Sequence, residues 1–405
     1  MTAAATAPPI PLRVQIAVYG AAMFSNTMSN LVWVAMPLWT LKLDLSPFLV
    51  GIALGSRYVG PVLLSIHGGA LMDRFGTRRV MIVLAAVGTI AALLFPLFPT
   101  FWAVIFLQVV GGIADAFCWV GAQTLVGQVM RGEATYAGRM SACTRIGIFF
   151  GPPAIGYAWD LLGPIGAFAI MGLWSAGVLA SVLMLPAAAV VQPPPVRVSV
   201  RTLLPHLSDY VDAVKLLAVP ALLFAMAITV LRQIGAGIQG SFYVVYLQSI
   251  GVTGTMIGLI MTVNGVIGLA GSLTVAPLLR FVSDRWLLLW TSAGSVLFVA
   301  ITPLLPNIGL LTAASGLRGW VLAASLVLIV SLIARSAGPS KLGKAMGLRV
   351  TVNQAMSAIV PVIMGGVTEV VGIEASFYWT GGVALALFAM TGWWARRSIA
   401  RSGDV

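Results

Sequence analysis

The feature that most constrains this chain is a succession of apolar runs, each about long enough to carry a helix across a bilayer. Twelve can be counted, near residues 15–38, 48–70, 80–98, 101–127, 140–160, 165–187, 216–247, 255–278, 286–304, 308–334, 350–371 and 376–395. A spanning helix needs roughly 20 mostly apolar residues. In hydrocarbon every backbone N–H and C=O must find its partner within the protein, so only helices and closed barrels can span. Barrel strands alternate apolar and polar residues, whereas these runs are continuous. They predict an all-α integral membrane protein. Sixty per cent hydrophobic and 8% charged residues exclude an ordinary soluble domain. No metal-ligand spacing, nucleophile constellation or phosphate loop stands out, so neither an enzyme nor a metal or cofactor is expected.

The net charge of +12 is explained by where the basic residues fall, and not by nucleic-acid binding. Arg74, Arg78, Arg79, Arg131, Arg139, Arg197, Arg201, Lys215, Arg280, Arg285, Lys341, Lys344, Arg349, Arg396, Arg397 and Arg401 all fall on one side when the amino terminus is placed in the cytoplasm. The opposite loops hold little beyond Lys42. That asymmetry predicts a multi-pass protein of the plasma (inner) membrane with both termini inside, in contact with the lipid bilayer. The run after Arg13 is too long for a signal peptide and is read as a retained first helix. Cys118 and Cys143 lie in separate spans and are read as small packing residues.

Five segments follow. Residues 1–14 are a disordered tail, 15–187 an amino-terminal six-helix bundle, and 188–215 a linker with Pro193-Pro194-Pro195. Residues 216–395 are a second six-helix bundle and 396–405 a cytoplasmic tail. Ser208 is placed to cap a short amphipathic helix in the linker. The two bundles look like repeats of each other. A shift of about 209 residues aligns Gly138 with Gly347, Pro152 with Pro361, Gly156 with Gly365, Asp160 with Glu369, Gly163 with Gly372 and Phe168 with Phe377. A shift of about 207 aligns Gly51 with Gly258, Ser65 with Ser272 and Arg78 with Arg285.

Between the second and third runs lies a polar hinge, Gly69-Ala70-Leu71-Met72-Asp73-Arg74-Phe75-Gly76-Thr77-Arg78-Arg79. It resembles the loop between helices two and three of major facilitator superfamily transporters, roughly G-x-L-x-D-R-x-G-R-R/K. Gly69, Leu71, Asp73, Arg74, Gly76 and Arg78 match, and Thr77 departs from the usual basic residue. The resemblance implies twelve helices in two pseudo-symmetric bundles, with substrate bound near the midplane between them. It also implies that Asp73 latches the cytoplasmic gate, with Arg74, Arg78 and Glu133 in one charge network. In the fifth span, Gly147-Ile148-Phe149-Phe150-Gly151-Pro152-Pro153-Ala154-Ile155-Gly156 looks like the G-x-x-x-G-P-x-x-x-G signature of the superfamily's antiporters. Small residues allow close helix approach and proline bends the helix. Gly151, Pro152 and Gly156 are therefore assigned to a gating seam, as are Gly69, Asp73, Arg74, Gly76 and Arg78 of the hinge.

Arg57, Asp115, Arg232 and Arg318 lie deep in the apolar runs. Each costs roughly 2.5–3.5 kcal/mol at a helix centre unless it faces a cavity or a partner. Thr229, Arg232, Gln239, Tyr243 and Tyr246 form one helical stripe, and Tyr19, Met23, Asn26, Asn30, Trp33 and Pro37 another. The resemblance places Asn26, Asn30, Asp115, Arg232, Gln239 and Arg318 around one space, walled by Tyr19, Trp33, Trp119, Tyr243 and Trp320. Guanidinium groups bind carboxylate or phosphate through a fixed fork of donors. Asn26, Asn30, Trp33, Arg232, Gln239, Tyr243 and Arg318 are accordingly the expected substrate contacts. Asp115 is the expected proton-coupling group, the alternative being a permanent ion pair with Arg232 or Arg318.

The reading is a monomeric secondary transporter working by alternating access, in which protons drive efflux of a small organic compound, anionic or amphiphilic. One alternative is uptake or exchange of an organic anion without protons. Another is a membrane sensor or scaffold that transports nothing.

Overall fold

The computed structural model describes residues 10–64, 71–72, 74–130, 133–187, 190, 214–337 and 341–402. Gly69 and Asp73 of the hinge and Ser208 of the linker lie outside the described residues. The first span is Leu12–Lys42; the second is Pro47–Ser56 continued by Val59–Leu64; the third is Thr77–Leu94 and the fourth Phe101–Val129. The fifth and sixth are two arms of Ala134–Met184, parted at Gly163, whose φ of 63° and ψ of −149° are not helical. Pro164 follows it, and a residue with a Cβ resists that backbone.

The seventh span is Pro220–Gln239 continued by Phe242–Ser249, and the eighth is Gly254–Leu278. The ninth is Asp284–Ala300, the tenth Ile308–Ala337, the eleventh Leu342–Val371 and the twelfth Ile373–Ser402. Among the described residues, nine helical stretches are long and apolar enough to cross a bilayer, with the fifth and sixth spans counted as one. The first span and the 17-residue ninth complete the twelve. Asp284 stands in the first turn of the ninth span, and Arg335, in the last turn of the tenth, reaches it at 2.5 Å.

The apolar side chains form three cores. One, from Met28–Trp39 through Phe168, Ile238–Leu247, Ile257–Met261 and Val360 to Phe377, is shared by both halves. The second belongs to the carboxyl half, from Leu216 to Phe388, and the third to the amino half, from Ile10 to Val190. Both separate cores sit towards the end that carries Arg78, Arg139, Arg280, Arg285 and Lys341, the basic end. The halves are thus fused away from the basic end and part towards it. Gly138 and Gly347, equivalent positions near the basic end of the fifth and eleventh spans, have nothing within 4 Å of where a Cβ would sit.

The fusion is a twofold-related seam. The eighth span lies on the fifth with Gly258 against the Pro152 carbonyl, and the second lies on the eleventh with Gly51 against the Pro361 carbonyl. Nearer the far end, Gly156 meets the Gly254 carbonyl and Gly365 the Pro47 carbonyl. In each case a Cβ would overlap backbone, so only glycine permits the approach. Asp160 then closes the amino end of the eighth span, accepting from the Gly254 and Thr255 N–H groups at 2.8 and 2.7 Å and from the Thr255 hydroxyl at 2.6 Å. Glu369 does the same for the second span, accepting from the Phe48 N–H at 2.9 Å and the Ser46 hydroxyl at 3.1 Å. A carboxylate there satisfies orphan donors and meets the positive end of the helix dipole. Pro153 has no N–H for the Phe149 carbonyl, which instead accepts from the Thr262 hydroxyl of the eighth span at 3.2 Å.

Overpacking such a seam costs about 1–3 kcal/mol. Gly258→Val should push the halves apart at the fused end and destabilise the protein by that amount, whereas Gly138→Val should do neither. Maleimide labelling of a Leu54→Cys reporter in a Cys118→Ala, Cys143→Ala background, with thermal unfolding in detergent, measures both effects.

Candidate functional site

Where the two halves meet, Trp33, Arg57, Tyr58 and Gln108 of the amino half face Gln233, Gly237, Gly240 and Ser357 of the carboxyl half across a cavity of about 20 Å³. That is room for about one water. Trp33 donates from Nε1 to the Tyr58 hydroxyl at 2.8 Å and lies against Gly240. Gln233 donates to Ser357 Oγ at 2.8 Å, tying the seventh span to the eleventh. Asn30 and Asn26 are half-buried on the first span, roughly one and two turns from Trp33 towards the basic end.

In the amino half, Arg57 stands where the second span changes from one helical segment to the next. It is buried, pairs with Asp115, and donates from Nη1 to Gln108 Oε1 at 3.1 Å. Gly112 admits the backbone of Arg57 against the fourth span. Asp115 is therefore the counter-ion of Arg57, and not of Arg232 or Arg318. The reason lies in the helix faces: the fourth span presents Asp115 to the second span of its own half, on the face where Gly111 and Gly112 let that span close in.

The carboxyl half repeats this frame without the acid. Shifting by about 207 residues, Arg57, Gln108 and Gly112 become Asn264, Ser315 and Gly319, and Asn264 donates to the Ser315 carbonyl at 2.6 Å with Gly319 against its backbone. The position of Asp115 becomes Leu322, and that of Gly111 becomes Arg318. Arg318 is 2% exposed and Arg232 6%. Arg318 donates from Nη2 to the Gly235 carbonyl at 3.3 Å, one turn along the seventh span from Arg232. The two guanidinium groups feel one another's charge, and the Nε of each is buried without a partner. Neither has an ion-pair partner among the described residues. Tyr243 is buried within electrostatic reach of Arg318. Gln239 is buried too, its amide turned to Met261 Sδ at 3.4 Å.

Of the gating positions, Gly76 has φ 85°, opening the third span. Arg74 lies two residues before it, in helical backbone. Arg78 donates to the carbonyls of Leu185 at 2.8 Å and Leu183 at 3.4 Å, a cation at the carboxyl end of the sixth span. Pro152 and Gly156 stand on the seam, whereas Gly151 packs on Thr27 and Leu31 of the first span, inside its own half.

The apolar runs alone do not single out Tyr58, Gln108, Gln233 and Ser357, and they leave Arg349 in the loop before the eleventh span. Arg349 is in fact half-buried inside the eleventh span. With Asn353 and Ser357 it makes a stripe at steps of four, a helical signal that was available in the sequence.

The family model described as "Major Facilitator Superfamily" matches residues 18–232 and 225–404. No curated protein sequence matches the chain. Among solved structures, the nucleoside transporter NupG is similar with a TM-score of 0.73 at 15% identity, covering 94% of this chain and 98% of that one. A D-xylose-proton symporter has a TM-score of 0.69 at 14% identity, covering 94% and 96%. A bacterial homologue of the human lysosomal transporter Spinster, inward-facing and unoccupied, has a TM-score of 0.69 at 12% identity, covering 95% and 98%.

Asp115→Asn leaves Arg57 buried without its counter-charge and should cost about 3–5 kcal/mol of stability. The double variant Arg57→Met, Asp115→Leu should recover most of that loss, as read by thermal unfolding in detergent.

Proposed function

Because the chain belongs to the major facilitator superfamily, we propose that it moves a small organic anion, or an amphiphile with an anionic group, across the plasma membrane by alternating access. The observation that carries this reading is the pair Arg232 and Arg318, both buried and, among the described residues, paired with no carboxylate. A guanidinium so placed has donors to offer and a charge to neutralise. The fused end and the parted basic end fit a transporter resting with its cavity towards the basic side. By the charge rule that side is the cytoplasm.

Outward movement driven by protons remains the favoured use. The fifth span's likeness to antiporters supports it, and so does Asp115, the acidic group set deepest in a span. A proton reaching Asp115 would release Arg57, which stands at the junction of the halves. The pairing itself favours the second reading, exchange or uptake of an organic anion without protons, since it gives Asp115 a structural partner in place of a free carboxylate.

Losing a charge-assisted hydrogen bond costs about 1.5–3 kcal/mol, roughly a 10- to 100-fold change. In reconstituted vesicles, Arg232→Ala should lower transport of anionic compounds by that factor and spare neutral ones. An equal loss for both would count against the anion reading. Transport by Asp115→Asn that still follows an imposed pH gradient would remove the proton role and leave exchange.

A further inference from the structure

The amino half neutralises its deep arginine and the carboxyl half does not. Among the described residues, Asp115 is the one acid that falls in the middle of a span, and Arg57 holds it. Asp44, Asp160, Asp284, Glu369 and Glu374 stand at helix ends or turns among the described residues. Among the described residues, Arg232 and Arg318 therefore present two positive charges that no acid pairs.

A third cation extends this pair. Gln233 and Ser357 set the register between the seventh and eleventh spans. Counting back from them at 1.5 Å per residue, Arg349 lies about 10 Å nearer the basic end than Arg232. Its Nε is buried without a hydrogen-bond partner, and its charge is felt at Arg232. Asn353, one turn further in on the same stripe, has a buried side-chain oxygen with no partner. Arg318 lies beyond Arg232, at the level of Gly235. The three guanidinium groups thus form a ladder from the parted basic end towards the junction of the halves.

From this arrangement we infer that Arg349 is the first station of an anion path leading to Arg232 and Arg318, and that the cargo is a compact organic dianion. Two negative charges match the two cations at the inner station. A loaded site of zero net charge escapes the penalty that the empty site's two buried charges carry in a low-dielectric interior. Asn353 lies between the stations, where its amide can turn to donate to a passing oxygen or accept from a hydroxyl. The inference rests on the anion reading above and deepens it.

The path can be tested without knowing the cargo. In the Cys118→Ala, Cys143→Ala background, Asn353→Cys is treated from the basic side with a sulfonate-bearing and a trimethylammonium-bearing methanethiosulfonate. Relative to their rates with a free thiol, the sulfonate reagent should react about tenfold faster or more, since a channel of one charge sign concentrates the opposite ion. Arg349→Gln should erase most of that preference. Equal relative rates, or a preference unmoved by Arg349→Gln, overturn the path.

The charge of the cargo is read by thermal stabilisation of the full chain in detergent with succinate, phenyl phosphate, monomethyl succinate, dimethyl succinate and methyl phenyl phosphate. A dianion that raises Tm where its esters do not, with the shift lost in Arg318→Met and kept in part by Arg318→Lys, supports the inference. Monomethyl succinate or methyl phenyl phosphate, each with one charge, stabilising as well as its parent dianion overturns the dianion and leaves the anion reading standing. No response to any anion, together with equal loss of neutral and anionic transport in Arg232→Ala, overturns both.

Discussion

The structure depends on backbone-to-backbone contacts between the halves, made in symmetric pairs. At Gly51 on Pro361 and at Gly258 on Pro152, helices of opposite halves touch with no side chain between them. In a bilayer the hydrophobic effect does little to hold apolar helices together, because lipid tails are as apolar as leucine. Close packing and hydrogen bonds must do it instead. The glycines supply the first, and the carboxylates of Asp160 and Glu369, each closing a helix of the other half, supply the second. Because both devices sit at the same end, the bundle is joined there and opens at the other.

The internal repeat explains why the seam is symmetrical. It also shows where the halves have diverged. Trp39 packs on Phe168 with ring centres 5.5 Å apart, and the equivalent Tyr246 packs on Phe377 at 5.6 Å. Thr77 bonds to Gln128 at 3.2 Å where the carboxyl half pairs Arg335 with Asp284. The shared frame is kept while its charges are redistributed. In the amino half the cation sits on the second span with an acid opposite. In the carboxyl half it has moved to the tenth span, and leucine stands where the acid would be. A symmetrical scaffold thereby holds an asymmetric field, positive on one side of the junction.

Much of the candidate site is legible in the sequence because burial of charge is so costly that a deep arginine declares itself. That cost marks Arg57, Asp115, Arg232 and Arg318, and all four lie inside spans. Their partners were not legible. A helix turns 100° per residue, and a sequence without its neighbours does not say which face meets which helix. The family resemblance puts Asp115 around one space with Arg232 and Arg318, yet its face of the fourth span turns to Arg57. Gln239 looked like a cavity residue and is turned to Met261. Arg349, taken for a loop cation, is a half-buried member of the eleventh span because that helix begins at Leu342, earlier than its apolar run.

By itself, then, the sequence determined the class of protein, the helical spans, the repeat and the depth of the charges. Each of these follows from local composition in a solvent that forbids unpaired backbone and unpaired charge. Tertiary structure alone decided which charges neutralise one another, that Asp160 and Glu369 are helix caps across the halves, and which end is shut. Those outcomes depend on how helices far apart in the chain rotate and approach, and close approach is set by both partners at once.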